Sequence, residues 1–322
     1  MNKKIKIWLI VAVSFMLIGG IIFVGAMSML NWNFMGINTT KYETNETIIN
    51  DSFKNISINT NTSDIIFLKS SDQNCKVDCF EHKKEKHIIS AQNETLIIEI
   101  NNTRKWYDYI QFFSFDTPKI TVYLPQEKYE TLSVKVSTGD IKIPSEFQFD
   151  NVDVKASTGD VQYNAATTGN VKINLSTGRI NIENADIGNM NLKTTTGNIN
   201  VKSVDCSGKI ETKVSTGKVE LTNVKCESLI SNGNTGDIKL TNTIAAKDFN
   251  ITRSTGDIKL IACDANEIFI TADTGDVSGT LLTDKVFICK TDTGKVAVPT
   301  TTEGGKCEVT TDTGDIKIKI GN

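Results

Sequence analysis

Apolar and polar residues alternate along residues 132–322, and the alternation restarts every 19 or 20 residues. Each restart carries the five-residue unit Ser/Thr/Asn/Asp-Thr-Gly-x-Ile/Val, first seen as Ser137-Thr138-Gly139-Asp140-Ile141. A period of two is typical of a strand with one buried face, and glycine permits a sharp bend between two such strands. The ten glycines of the repeat, each preceded by threonine, are Gly139, Gly159, Gly178, Gly197, Gly217, Gly236, Gly256, Gly275, Gly294 and Gly314.

Apolar residues recur at fixed distances from this glycine, which identifies the inward positions of each repeat. The position seven residues before it is apolar in every copy, from Leu132 to Cys307. Five residues before it, only Thr212 and Ser231 are polar, and four residues after it only Gly279 leaves a gap. Each repeat should therefore form two short strands that share one interior. The residues two after the glycine, expected to point inward, are Ile141, Val161, Ile180, Ile199, Val219, Ile238, Ile258, Val277, Val296 and Ile316.

A repeat of 19 or 20 residues is too short for a helix, a strand and two turns, and no helical period is visible. The predicted fold class is therefore all-β: a single-stranded parallel β-solenoid of about ten coils over residues 132–322. Coils stacked about 4.8 Å apart would make a rod about 48 Å long. Thr168-Gly169 and Ser207-Gly208, midway between main units, predict a second, looser corner.

Stacking of successive coils predicts which charges become neighbours on the outer surface. One residue after the glycine, Lys218 is followed in the next coil by Asp237, which cross-strand pairing favours. Asp276, Lys295 and Asp315 alternate in the same way. Exposed pairs of this kind contribute only about 0.2–1 kcal/mol each. They support the register more than the stability.

Residues 48–131 contain strand-like runs without the strict repeat, and they predict an N-terminal β cap. Thr62-Ser63-Asp64-Ile65 is a degenerate copy of the repeat. This segment also holds an aromatic cluster, interpreted as part of the cap or, alternatively, as a platform that binds a sugar or a peptide. Its members are Trp106, Tyr107, Tyr109, Phe112, Phe113 and Phe115.

Residues 1–30 combine a basic start with an apolar stretch of 24 uncharged residues from Ile7 to Leu30. About 20 apolar residues suffice for a helix to cross a bilayer. A cleaved signal is the alternative, with Val24-Gly25-Ala26 as a small-residue cleavage site. Because Lys3, Lys4 and Lys6 precede the stretch, the N-terminus should be cytoplasmic and the rest extracytoplasmic. Residues 31–47 are predicted to be a linker, with Trp32 and Phe34 at the membrane interface.

Charge, cysteines and histidines exclude several classes of function. Without the three lysines of the start, 32 basic residues stand against 38 acidic ones, so the body lacks the basic surface that nucleic-acid binding needs. The seven cysteines form no CxxC pair, and their odd number leaves at least one thiol free. Cys75 and Cys79 could bridge locally, and most of the others are interpreted as buried apolar residues. His82 and His87 lie in a charged run and are expected to belong to a solvated loop or strand face, with metal binding as the alternative.

Two acidic patterns suggest chemistry, and both have a simpler explanation. Asp-Thr-Gly, the tripeptide of aspartic proteases, occurs at Asp273, Asp292 and Asp312, but serine takes the same place in other coils. Stacked acids such as Asp237, Asp257 and Asp276 could attract calcium or form a solvated, partly paired face. We predict no catalytic, cofactor-binding or metal-binding residues, no cofactor, and no enzymatic activity, since no nucleophile or acid–base constellation is apparent.

The repeat reads Ser-Thr-Gly-Asp-Ile/Val at residues 137–141, 157–161 and 254–258, and the segment Ile120-Thr121-Val122-Tyr123-Leu124-Pro125 precedes it. In both features the chain resembles the bacterial putative-adhesin repeat family. The resemblance spans residues 50–320 and implies a solenoid in the cell envelope, without catalytic residues. We expect a membrane-anchored, extracytoplasmic, adhesin-like or scaffold module whose partner is an envelope protein or a cell-wall polymer. The alternative is an accessory protein of an envelope-stress signalling system, which a neighbouring sensor-kinase gene would favour.

Overall fold

The computed structural model describes residues 3–29, 32, 42–71, 73–103 and 117–321. The one helix among these residues, α1, runs over Lys3–Met29 and is long and apolar enough to span a membrane. The strands that form the N-terminal end are β1 (Tyr42–Ile49), β2 (Asn55–Thr62), β3 (Asp64–Lys69), β4 (Cys75–His82), β5 (Glu85–Gln92), β6 (Thr95–Asn102) and β7 (Lys119–Leu124).

The repeats form the body of the solenoid and its C-terminal end. The strands of the body are β8 (Lys128–Thr138), β9 (Ile141–Ile143), β10 (Gln148–Thr158), β11 (Val161–Tyr163), β12 (Ala166–Thr177), β13 (Ile180–Thr196), β14 (Ile199–Cys206), β15 (Lys209–Thr216), β16 (Val219–Thr235), β17 (Ile238–Thr255) and β18 (Ile258–Thr274). The strands of the C-terminal end are β19 (Val277–Leu281), β20 (Lys285–Thr293), β21 (Val296–Ala297), β22 (Gly305–Thr313) and β23 (Ile316–Ile320).

Neighbouring coils pair in parallel and in register, which confirms the predicted β-solenoid. Ile238, for example, lies between Val219 of one neighbouring coil and Ile258 of the other. Nine of the ten residues expected to point inward are at most 1% exposed, and Val296, in the terminal coil, is 44% exposed. A continuous apolar interior therefore runs through the stack.

The corner glycine is required because each coil touches the next one there. Gly256 has a φ of +135°, and a Cβ on it would lie 2.3 Å from the carbonyl oxygen of Gly236. The second corner is also present: the strand register shifts between Phe149 and Val152, and a Cβ on Gly188 would lie 2.3 Å from the Gly169 carbonyl oxygen. Backbone contact at both corners explains why small residues recur there.

Two polar exceptions to the apolar pattern satisfy each other inside the rod. Thr212 and Ser231 are both 0% exposed, and they occupy the same position in neighbouring coils. The Thr212 hydroxyl donates a hydrogen bond to the Ser231 hydroxyl at 2.8 Å. Buried polar groups are tolerated when they are hydrogen-bonded, so the pair interrupts the apolar row without breaking the fold.

Arg253 is a further polar residue of the interior. Its side chain is fully buried, and its neighbours in the adjacent coils are Gly233 and Ala272, which leave room for it. None of its guanidinium nitrogens has a hydrogen-bond partner among the described residues. Burial lowers the pKa of this guanidinium to about 10, because desolvation disfavours the charged form.

At the N-terminal end the chain does not stack its coils in sequence order. Strands β2 and β3 lie directly on the first repeat coil, where Thr62 pairs with Thr138 and Ile65 with Ile141. This confirms Thr62-Ser63-Asp64-Ile65 as a degenerate repeat. Strands β6 and β7, which come later in the chain, pair with the other side of β2 and β3. The coil of β2 and β3, which is first in the chain, therefore lies between the coil of β6 and β7 and the coil of β8 and β9.

Antiparallel strands cover this N-terminal end. Strand β4 pairs with β1 and β7, and β5 pairs with β6, all antiparallel. Residues 42–47, predicted to be linker, belong to β1, which corrects that prediction: the backbone of Tyr42–Ile49 pairs antiparallel with the edge of β4 and adds a strand to the sheet. The remaining predicted linker residues, apart from Trp32, lie outside the described part of the chain.

The C-terminal end shows the same exchange of order and corrects a second prediction. Strand β22 pairs with β18 on one side and with β20 on the other. The coil of Gly314 therefore stacks on that of Gly275, and the coil of Gly294 lies outermost. On the surface Asp276 is followed by Asp315 and then Lys295, rather than alternating in chain order. The first coil in the chain, formed by β2 and β3, and the last, formed by β22 and β23, each lie between two other coils. Neither can fray without breaking contacts on two sides.

Candidate functional site

Four lysines form a row on the outer face of the strands that precede the Thr-Gly corner. The register places Lys135 beside Lys155 and Lys193 beside Lys213, with Asn174 between the two pairs. All four lysines are exposed, because this position alternates with buried ones along each strand. These four residues are called the lysine row below.

The lysine row is only partly neutralised. Lys155 forms an ion pair with Asp153 at 3.0 Å. Within the described part of the chain, Lys135, Lys193 and Lys213 have no carboxylate at ion-pair distance. Like charges opposite each other on neighbouring strands destabilise a sheet. The row is therefore unfavourable for folding, which makes it a candidate for contact with a negatively charged ligand.

Hydroxyl groups line the same surface. Ser137, Ser157, Ser176 and Thr195, two residues before the corner glycine in successive coils, border a shallow groove together with three of the lysines. The groove has a volume of about 370 Å³. Ammonium groups and hydroxyls are hydrogen-bond donors, so the groove suits a ligand with repeated acceptor groups.

The same face becomes acidic toward the C-terminal end. Asp273, Asp312 and Asp292 follow one another on neighbouring coils in that spatial order, and all three are exposed. Asp292 is paired with Lys290 at 3.0 Å. The Asp-Thr-Gly tripeptides thus place their carboxylates on an outer surface, and not in a cleft of the kind in which a protease holds two carboxylates with one proton.

The corner aspartates hold neighbouring coils together. The backbone N–H of Asp257 donates to a carboxylate oxygen of Asp237 at 3.2 Å, and that of Asp276 donates to Asp257 at 3.0 Å. The ion pair of Asp237 with Lys218, at 2.9 Å, confirms the predicted charge neighbours and lowers the pKa of Asp237. These stacked acids therefore have partners within the protein, and their position is explained by the corner itself.

A buried polar network at the N-terminal end was not expected from the sequence. His87 Nδ1 lies 2.7 Å from Glu81 Oε2, and His87 Nε2 lies 2.8 Å from the Thr60 hydroxyl. Asn45 donates to Glu81 Oε1 at 2.6 Å. The side chains of His87 and Glu81 are 2% and 3% exposed, and His82 is also buried. The expectation that both histidines face solvent is wrong, because β4 and β5 turn these positions toward the interior.

Hydroxyl, imidazole and carboxylate groups in such a chain resemble the catalytic triad of a hydrolase. A nucleophile must be accessible to its substrate, however, and Thr60 is only 2% exposed. The side chains of Glu81 and His87 are equally inaccessible, at 3% and 2% exposed. The network is therefore not arranged for acyl transfer.

All seven cysteines are free, and six of them are buried; Cys289 is half-buried. Cys75 and Cys79 lie four residues apart on the extended strand β4, a separation of about 13 Å, which is too long for a disulfide. The local bridge considered from sequence is therefore wrong. Burial raises the pKa of the Cys79 thiol to about 12.

Some residues singled out in the sequence lie outside the described part of the chain. Two features of the structure, the lysine row and the Glu81–His87 network, were not predicted from the sequence. The whole aromatic cluster from Trp106 to Phe115, and Phe34, lie outside the described part. The lysine row was missed, although a comparison of the position four before each glycine would have found it. The network of Glu81 and His87 had no sequence signal, because its members come from separate strands.

Comparison with known families gives one clear match. A family described as Toastrack DUF4097 matches residues 53–213 and 205–322. The two matched segments together span residues 53–322, which include all repeats and the N-terminal end from β2 onward. No curated protein sequence matches the chain.

Several solved structures of bacterial proteins are similar to this chain at low sequence identity. A putative adhesin from Parabacteroides distasonis is 11% identical, with 85% of this chain and 98% of that chain covered and a TM-score of 0.41. A putative adhesin from Bacteroides fragilis is 14% identical, with 87% and 97% covered and a TM-score of 0.31. A putative lipid binding protein from Parabacteroides distasonis is 13% identical, with 86% and 98% covered and a TM-score of 0.33.

Proposed function

Because the chain belongs to the Toastrack DUF4097 family, whose model matches residues 53–322, we propose that it is a non-catalytic binding rod of the cell envelope. Helix α1 anchors the rod in the membrane, the β-solenoid lies outside the cell, and the lysine row binds an anionic wall polymer. The observation that carries this proposal is the stack of like charges on the outer face.

A polymer suits this surface better than a compact ligand. The row extends over five coils, about 20 Å along the rod, and the groove beside it is shallow. Small molecules are usually held in concave pockets that surround most of their surface. A chain with a negative charge at regular intervals would contact several lysines at once, and its charges would relieve their mutual repulsion.

Substitution of Lys193 and Lys213 by glutamate should weaken binding of a glycerol-phosphate polymer by at least about tenfold, since two attractive contacts become repulsive. The affinity of the unmodified protein should also fall with rising salt, because exposed charges are screened. The measurement is retention of the full-length protein, in detergent, on immobilised polymer, with neutral dextran as the comparison.

The matched control changes the same number of charges on the other face. Lys239 and Lys259 are also exposed neighbours on adjacent coils, but they follow the corner. Replacing both with glutamate should leave binding unchanged. Equal loss in the two double variants would mean that net charge alone decides retention, and the lysine row would then not be the binding site.

The proposed topology has its own test. Lys3, Lys4 and Lys6 precede α1, and the positive-inside rule places them in the cytoplasm. Protease added to intact cells or right-side-out protoplasts should therefore digest the solenoid, detected with an antibody against it, while a cytoplasmic marker protein stays intact. Protection of the solenoid until the membrane is permeabilised would reverse the orientation.

A further inference from the structure

Three side chains with different donor atoms converge at the N-terminal end of the rod. Cys79 and Glu81 are two residues apart on β4, so both point to the interior, and the turn at residues 83–84 brings His87 of β5 back to them. The thiol sulfur, a carboxylate oxygen and an imidazole nitrogen lie within 4.8 Å of one another. Cys79 and Glu81 are 1% and 2% exposed.

We propose that Cys79, Glu81 and His87 form a binding site for a divalent transition-metal ion, with Zn²⁺ as the best fit. Zinc takes thiolate, imidazole and carboxylate ligands at about 2.0–2.3 Å, often three from the protein with water in the fourth position. Ligand atoms around a tetrahedral ion are then about 3.3–3.8 Å apart. The three atoms, all within 4.8 Å of one another, need only small side-chain movements to reach that spacing.

The surrounding hydrogen bonds orient the ligands as a metal site requires. Thr60 engages His87 Nε2, which leaves Nδ1 directed at Glu81, and Asn45 engages Glu81 Oε1, which leaves Oε2 directed at His87. The two facing atoms, Glu81 Oε2 and His87 Nδ1, are 2.7 Å apart and joined by a hydrogen bond, and Oε2 also accepts the backbone N–H of His87 at 2.7 Å. Binding would open this contact and release the Cys79 thiol proton to solvent, and the imidazole would keep its one proton on Nε2, donated to the Thr60 hydroxyl oxygen. Partners that hold the far atoms of ligands in this way are a regular feature of metal centres.

The placement of Cys79 distinguishes this cluster from an ordinary buried ion pair. Cys206, Cys226 and Cys263 each direct their sulfur to a backbone carbonyl. The sulfur of Cys79 makes no hydrogen bond among the described residues, and it lies beside a carboxylate and an imidazole. Cys79 belongs to the buried core, and a metal ion would in addition use its sulfur together with the carboxylate and the imidazole.

Cobalt provides a direct probe, since tetrahedral Co²⁺ with a thiolate ligand has visible d–d bands and a near-ultraviolet charge-transfer band. The full-length protein, purified in detergent under reducing conditions and stripped with chelator, should bind one Co²⁺ per chain and release it to Zn²⁺. Cys79→Ser should abolish the charge-transfer band. Thr60→Val should keep the band but weaken affinity about 10- to 100-fold, because it removes only the orienting hydrogen bond.

The matched control is Cys75→Ser. Cys75 lies on the same strand, faces the same interior and is equally buried, but it does not belong to the cluster. This variant should bind Co²⁺ as the unmodified protein does. To separate binding from folding, Zn²⁺ should raise the melting temperature of the unmodified protein and of Cys75→Ser, but not that of Cys79→Ser. Failure of the unmodified protein to bind one ion, or equal loss in the two serine variants, would overturn the proposal.

Discussion

Replacement of Ile258 by aspartate is expected to lower the free energy of unfolding by about 4 kcal/mol. Ile258 is 0% exposed and lies between Ile238 and Val277 of the adjacent coils. The substitution loses the burial of an isoleucine, worth about 2–3 kcal/mol, and leaves a carboxyl group without a partner in the interior. Thermal melting of the full-length protein, followed by circular dichroism in detergent, should show a midpoint roughly 10 °C lower.

The control for this prediction is the same substitution at an exposed isoleucine. Ile288 is 52% exposed on the outer face of β20, so Ile288→Asp should change stability by less than about 0.5 kcal/mol. Equal losses in the two variants would contradict the inward position of the residue two after the glycine. The same spectra should show mainly strand, with a helical contribution no larger than α1 provides.

Substitution of Gly256 by alanine is expected to cost about 3 kcal/mol. At a φ of +135° a side chain is strained, and the added Cβ would lie 2.3 Å from the carbonyl oxygen of Gly236 and 2.5 Å from its carbonyl carbon. Backbone atoms cannot move aside without separating two coils, so the loss combines conformational strain with weakened stacking. Urea unfolding of the full-length protein in detergent would measure it.

Gly321 separates these two contributions. It has nearly the same φ, +139°, but no atom lies within 4 Å of the added Cβ. Gly321→Ala should therefore show only the conformational part, about 1 kcal/mol. If both alanine variants lose the same amount, contact between coils does not explain the corner glycine.

The pattern of the repeat predicted the body of the rod well. Interior residues such as Ile180 and Leu240 were identified because each coil repeats the same inward positions, and errors in one coil are corrected by the next. The second corner at Gly169 and the ion pair of Lys218 with Asp237 followed from the same register. A repeat of this regularity determines both the secondary structure and the parallel stacking.

The two ends were not predictable in this way. Strand β22 offers the same hydrogen-bonding edge and the same apolar face as β20, so either could have stacked on β18. The order depends on which arrangement the connecting segments allow and which buries more surface, and neither is encoded in the repeat. The antiparallel pairing of β1 with β4 likewise depends on an edge that exists only after the coils have formed.

One of the two candidate sites could be read from the sequence, and the other could not. The lysine row was present in the sequence as a recurring position, because neighbours across coils are always 19 or 20 residues apart in the body. The cluster of Cys79, Glu81 and His87, together with Thr60 and Asn45, draws on four strands with no fixed spacing. No periodicity connects these residues, so their proximity is apparent only in the folded structure.

The sequence by itself determined the coil, its inward residues, its glycine corner and the apolar helix at the start, because each of these depends on local alternation and on backbone freedom at one residue. Tertiary structure alone decided the order of the coils at both ends and the burial of the Glu81–His87 pair. Near-identical coils can stack on the same neighbour, and contacts between segments far apart in the chain determine which stacking order forms.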